Sequence, residues 1–188
     1  MNNTSVRLKR LTMLAMMVAL GVVISPILRI EGMCPMAHFI NVTCAVFLGP
    51  WYALLCAVMI GVIRMAVMGV PPLALTGAVF GAFLSGVLYR ASGGKLLCAV
   101  LGEVLGTGLI GSVASYPVMS LIWGRSGLTW FFYTPLFVCG TLIGGTIAFF
   151  FLTALARTNM LTTIQRALGG TTYEHPDHPA PRPPADPE

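Results

Sequence analysis

The chain reads as long apolar runs separated by short polar or breaker-rich connections, and the runs have membrane-helix length, about 17–25 residues at 1.5 Å rise each. The pattern predicts a first span over about 11–27, directly after the basic stretch Arg7, Lys9 and Arg10. A polar connection from Arg29 to Pro35 follows. The next run, Met36 to Ile63, is too long for one comfortable helix and too short for two generous ones. Gly49-Pro50 divides it, because proline removes a helix hydrogen bond and clashes with the preceding turn. A short second span over 36–48 and a third over 51–68 result. Gly69-Val70-Pro71-Pro72 is a tight turn, and a fourth span covers 73–89. The loop from Arg90 to Lys95 leads to a fifth span over 96–118 and a sixth over 130–156, with Tyr116-Pro117 expected to kink the end of the fifth.

Charge tests this division. Six spans with an inner N-terminus place Arg7, Lys9, Arg10, Arg90, Lys95, Arg157 and Arg166 on one face and leave Arg29 and Arg125 for the other. Five spans would move Arg90, Lys95, Arg157 and Arg166 outside, against the preference of cationic loops for the cytoplasm. The fold expected is an all-α integral membrane protein of six transmembrane helices with both termini cytoplasmic. Residues 1–168 form the membrane domain. Residues 169–188 begin with Gly169-Gly170, turn proline-rich and polar, and are expected to be a disordered cytoplasmic tail.

Composition agrees: 9% of residues are charged, against roughly 25% in soluble domains. The net charge of +5 therefore reads as topology rather than nucleic-acid binding, since no basic cluster is interleaved with aromatics. No cleavable signal peptide is expected, because the first run is too long for one and has no small-residue exit. The cysteines, Cys34, Cys44, Cys56, Cys98 and Cys139, contain no CxxC pair and read as small packing residues.

Against this background the few polar residues stand out. Glu103 lies alone inside the apolar run from Leu96 to Trp123, where a charge costs at least about 2.5–3.5 kcal/mol even on insertion scales. Thr107 is four residues on and shares its helix face; His38 and Asn41, three apart, share another. Neutral imidazole and amide groups suit an uncharged polar heterocycle, or alternatively a structural hydrogen bond. Arg64, inside the third span, would either pair with Glu103 or serve a ligand; counted from the inner boundary, Arg64 is about 19 Å deep and Glu103 about 10 Å, which argues against direct contact. Trp123, Trp130 and Tyr133 read as an interfacial belt. Small residues recur at fourth positions: Ala15 and Ala19, Gly77-Gly81-Ser85, Gly102 and Gly106, Gly140 and Gly144. In lipid such stripes let helices approach closely. The Ala15–Ala19 stripe sits among methionines and is a candidate docking face. His175 and His178 have no third ligand nearby to complete a metal site. Hydrolase, zincin and P-loop motifs are absent.

These residues carry a resemblance. His38-Phe39-Ile40-Asn41-Val42, Leu48-Gly49-Pro50-Trp51-Tyr52-Ala53, Leu73 to Ala82, and Gly102-Glu103-Val104-Leu105-Gly106-Thr107-Gly108 through Gly111, closing with Ser115-Tyr116-Pro117, resemble the substrate-binding S-components of energy-coupling factor (ECF) transporters, most of all the ThiW type. The likeness runs from about Ala15 to Ile122. It departs in the first loop, where Ala37 stands in place of a glutamine, and at Thr76-Gly77, where Pro-Gly is frequent. The resemblance implies a non-enzymatic subunit in a prokaryotic cell membrane that captures a thiamine precursor, hydroxyethylthiazole, from outside. It implies a partner T-component, docked through Ala15 and Ala19, and two cytoplasmic ATPases that use the ATP, with no cofactor on this chain. The substrate contacts expected are His38, Asn41, Arg64, Glu103, Thr107 and Tyr116. Rival readings are an S-component for another heterocycle, an intramembrane enzyme using Glu103 and His38, and a scaffold in which the polar groups merely satisfy one another.

Overall fold

The computed structural model describes residues 3–27, 29 and 33–173, and among them every regular element is a helix. The helices are α1 (Asn3–Ile24), α2 (Pro35–Leu48), α3 (Pro50–Met68), α4 (Leu73–Ala91), α5 (Leu96–Ile122), α6 (Thr134–Arg157) and a short α7 (Met160–Ala167). The last fifteen residues, including His175 and His178, and Glu31 in the first loop lie outside the described residues.

Breakers set the boundaries. Gly49 takes φ +88°, a left-handed angle that side chains avoid, and Pro50 opens α3 at a position where its missing N–H costs nothing. Gly69 ends α3 at φ +60° before Pro71-Pro72. The structure shifts some expected limits: α1 stops at Ile24, α5 runs on through Pro117 to Ile122, and α6 starts at Thr134. Pro117 therefore does not end α5. The backbone just after Pro117, at Val118–Ile122, and earlier, at Val104–Gly111, widens into π-helical turns.

Among the described residues four helices, α3 to α6, are long and apolar enough to cross a membrane. The shorter α2 has 14 residues, about 21 Å, yet twelve of them are buried. It touches α1, α3, α4, α5, α6 and α7 and so forms the axis of the bundle. An enclosed helix need not match the bilayer thickness. α1 is 22 residues long, but its first turns carry Arg7, Lys9 and Arg10. It lays Leu14, Met17 and Val18 against the core and leaves its other face open.

The basic groups gather at one end. Arg10 donates through Nε to Leu168 O at 2.6 Å, Gln165 Nε2 reaches Val46 O and the Tyr89 hydroxyl at 3.0 Å each, and Tyr173 packs over Gly94 and Tyr89. These contacts join the start of α1 to the last described residues. The opposite end holds Arg29, the Gly69–Pro72 turn and a satellite cluster of Leu73, Met119, Tyr133 and Phe137.

Candidate binding site

The site begins with close helix crossings. A Cβ on Gly102 would lie 2.5 Å from Ser85 Cα, and one on Gly106 2.5 Å from Gly81 Cα, so α4 and α5 meet backbone to backbone. On the other side of α2, a Cβ on Gly144 would collide with Pro35 O, and one on Gly140 would fall 3.3 Å from His38 Nε2. The small-residue stripes thus clamp α2 and α5 against their neighbours. They deliver His38, Asn41, Glu103 and Thr107 to one point.

All three donors meet on one oxygen. Glu103 Oε1 accepts from His38 Nδ1 at 2.8 Å, Asn41 Nδ2 at 3.0 Å and Thr107 Oγ1 at 3.1 Å. The amide and hydroxyl donors mark Oε1 as an acceptor, which assigns the proton of the third bond to His38 Nδ1. Glu103 is fully buried, and its Oε2, beside Gly81, has no partner among the described residues. Removing a carboxylate from water costs several kcal/mol. Three bonds to a charged acceptor, at about 1.5–3 kcal/mol each, offset that cost. The arrangement also fixes the imidazole, leaving Nε2 as its free nitrogen next to Gly140.

A cavity lies in front of this cluster. His38 and Thr107 line it, together with Arg64, Gly77, Ala78 and Phe137. Arg29, Met33 and Cys34 stand on its first-loop side. It offers about 60 Å³ to the centre of a water-sized sphere, and about 540 Å³ when all unfilled space out to the open mouth is included. One water needs about 10–15 Å³ on the first measure, so the inner part admits several waters or a small ring. Most of the lining is apolar, with a few polar groups to orient a ligand, as small-molecule sites usually are.

The expected contacts divide. His38, Thr107 and Arg64 line the cavity; Asn41 and Glu103 stand directly behind it, bonded to the lining. Tyr116 is not on the lining. Its ring lies against Trp130, with centroids 4.4 Å apart. Arg64 does not pair with Glu103; it is 3% exposed, and its Nε has no partner among the described residues. Phe137 escaped the sequence reading; Gly77 and Gly140, read there as helix-packing residues, lie on the cavity lining and against His38 respectively. Trp123 and Trp130 are exposed, as belt residues would be, whereas Tyr133 is buried. Cys44 and Cys56 are core residues, while Cys139 is exposed. Among the described residues no metal-binding cluster exists. Ala15 and Ala19 both lie on the open face of α1, with Leu11, Met16 and Leu20 around them.

No curated protein and no solved structure matches the chain. Residues 11–158 match the family model described as thiamine-precursor transporter protein (ThiW). The apolar helices and the half-open cavity backed by a buried polar cluster suit a membrane transport component rather than an enzyme, and over that stretch the chain belongs to the ThiW family of thiamine-precursor transporters.

Proposed function

We propose that this chain is the substrate-binding subunit of an ECF-type transporter and captures a small thiazole, hydroxyethylthiazole, on the outer side of a prokaryotic cell membrane. The observation that carries the reading is the cavity itself, a mostly apolar recess whose polar wall, His38 and Thr107, is held rigid by Glu103. His38 Nε2 would meet the ligand's hydroxyl or ring nitrogen, and Phe137 would pack on the ring. Glu103 and Asn41 act as positioning residues behind them. α1 and α2 would complete a six-span bundle with α3 to α6.

Orientation follows from charge. The end bearing Arg7, Lys9, Arg10, Arg90, Lys95 and Arg166 would face the cytoplasm, and the cavity end would face outward. Ala15 and Ala19 would dock a T-component, whose two ATPases supply the energy. Their exposure on α1 supports this role. Release would follow reorientation of the loaded subunit as a rigid body.

Titration calorimetry of the purified chain with hydroxyethylthiazole tests the proposal. Saturable binding at one site, weakened by His38→Ala, is the expected result. Absence of binding for this and related thiazoles would overturn it. Copurification of a T-component and ATPases with the tagged chain tests the assembly independently.

A further inference from the structure

The cavity carries more positive charge than a neutral thiazole needs. Arg64 is 3% exposed, lines the cavity and leaves its Nε unpartnered. Arg29, exposed at the first-loop side, lines the same space. Among the described residues no carboxylate lines it, and Glu103, the one acidic residue among them, is engaged by three donors on Oε1. Two guanidinium groups around one recess repel each other, and a buried cation without a counter-charge is strongly disfavoured. Guanidinium is also the side chain best matched to the paired oxygens of a phosphate or carboxylate.

Resting on the function proposed above, we infer that the ligand is a heterocycle bearing an anionic substituent, a phosphate monoester or a carboxylate. Arg64 receives that group inside the cavity, Arg29 adds a second positive charge to the lining, and the ring lies toward His38 and Phe137. The neutral thiazole is then the weaker ligand of the site.

Calorimetry on the purified full chain tests this with hydroxyethylthiazole, its phosphate monoester, a methylthiazole carboxylate and inorganic phosphate. At least one anionic thiazole should bind about tenfold or more tighter than hydroxyethylthiazole, the range of one good charge-assisted contact. Arg64→Gln should erase that advantage, weakening the anionic ligand about tenfold or more beyond any change in the neutral one. Arg64→Lys should keep part of it. The ligand-free Arg64→Gln protein should melt no lower than the parent, since it loses a charge without a partner.

Several results would overturn the inference. One is equal or tighter binding of the neutral thiazole; another is a loss in Arg64→Gln that is the same for neutral and anionic ligands. In either case the transporter reading survives, because a thiazole still binds. Inorganic phosphate binding as tightly as the ester would show a free-anion site instead. A lower melting point for empty Arg64→Gln, matched by Glu31→Gln, would make Glu31 the counter-charge and remove the need for a charged ligand. If no thiazole binds in any form, both readings fall together.

Discussion

Replacing Gly81 by alanine tests the geometry of the site at its tightest point. The new Cβ would lie 2.6 Å from Glu103 Oε2 and 2.8 Å from its Cδ, and closer still to Thr107 Oγ1. Neither neighbour is a free, flexible tip: Thr107 donates to Oε1 at 3.1 Å, and the same oxygen holds His38 and Asn41. Relief requires either rotating Thr107 out of its bond or separating α4 from α5. Overpacking of this kind costs about 1–3 kcal/mol. A lost hydrogen bond to a charged acceptor adds about 1.5–3 kcal/mol. A net destabilisation of about 3 kcal/mol is expected, which at about 2–4 °C per kcal/mol lowers the melting temperature by about 6–12 °C. Thiazole affinity should fall about tenfold or more, because His38 is anchored to the displaced carboxylate. The double variant Gly81→Ala/Thr107→Ala removes the nearer clash and should be less damaged than the sum of the two, by about 1–2 kcal/mol in a thermodynamic cycle. Thermal unfolding in detergent and calorimetry give both readouts. A melting temperature and affinity unchanged in Gly81→Ala, or additivity within about 0.5 kcal/mol, would refute the close crossing and the shared acceptor.

Other outcomes follow from the same contacts. Glu103→Gln keeps an acceptor for His38, Asn41 and Thr107 but puts an NH2 where Oε2 has no partner, so the chain should still insert and bind ligand more weakly; an unchanged affinity would remove Glu103 from the site. Ala15→Trp and Ala19→Trp crowd the open face of α1 and should spare ligand binding while abolishing cellular uptake, and normal uptake by both would dismiss that face as a docking surface. Gln165→Leu strips the bonds to Val46 O and the Tyr89 hydroxyl at the end remote from the cavity; it should destabilise the bundle by about 1–3 kcal/mol in thermal unfolding and leave affinity alone, whereas a shift in affinity would show that the two ends are coupled.

Local chemistry made the helices readable and left their mutual contacts obscure. Gly49-Pro50 and the Gly69–Pro72 turn announce their breaks, because left-handed angles and proline rings act within a few residues. Four-residue spacing places Glu103 with Thr107, and three-residue spacing His38 with Asn41, on shared faces. That both pairs meet on a single oxygen depends on how closely α2, α4, α5 and α6 approach, which the glycine stripes permit but do not specify in register. Counting depth at a uniform rise agrees with the missing Arg64–Glu103 contact. No simple sequence rule signals a widened turn such as Val104–Gly111, and Tyr116, expected at the ligand from the family resemblance, lies against Trp130. Pairing of Arg64 with Glu103 stayed open beside the depth count because a lone cation and a lone anion in apolar spans invite it. The nearer donors on α2 and α5 claimed the carboxylate instead.

The two ends of the bundle bear on how a captured ligand would leave. At the cavity end the recess opens between the first loop and the Gly69–Pro72 turn, where few backbone bonds cross between elements. At the basic end Arg10 holds Leu168 and Gly169, Gln165 bridges Val46 and Tyr89, and Tyr173 covers Gly94. Between them, the axis formed by α2 is sealed by Val42, Cys44, Ala45 and Val46, each no more than 3% exposed. A path through the interior would have to break the closely packed α4–α5 crossing and desolvate the Glu103 cluster against apolar side chains. Turning the whole bundle leaves every one of those bonds intact. Its cost falls on the charged ends, whose long cationic side chains can reach back to the interface. A bundle fastened at the end that would face the cytoplasm is therefore better suited to moving as one body than to opening a channel. Covalently linking α1 to α7 across the Arg10–Leu168 contact should then leave uptake unimpaired, and loss of uptake in the linked protein, restored by cleaving the link, would contradict the rigid-body step.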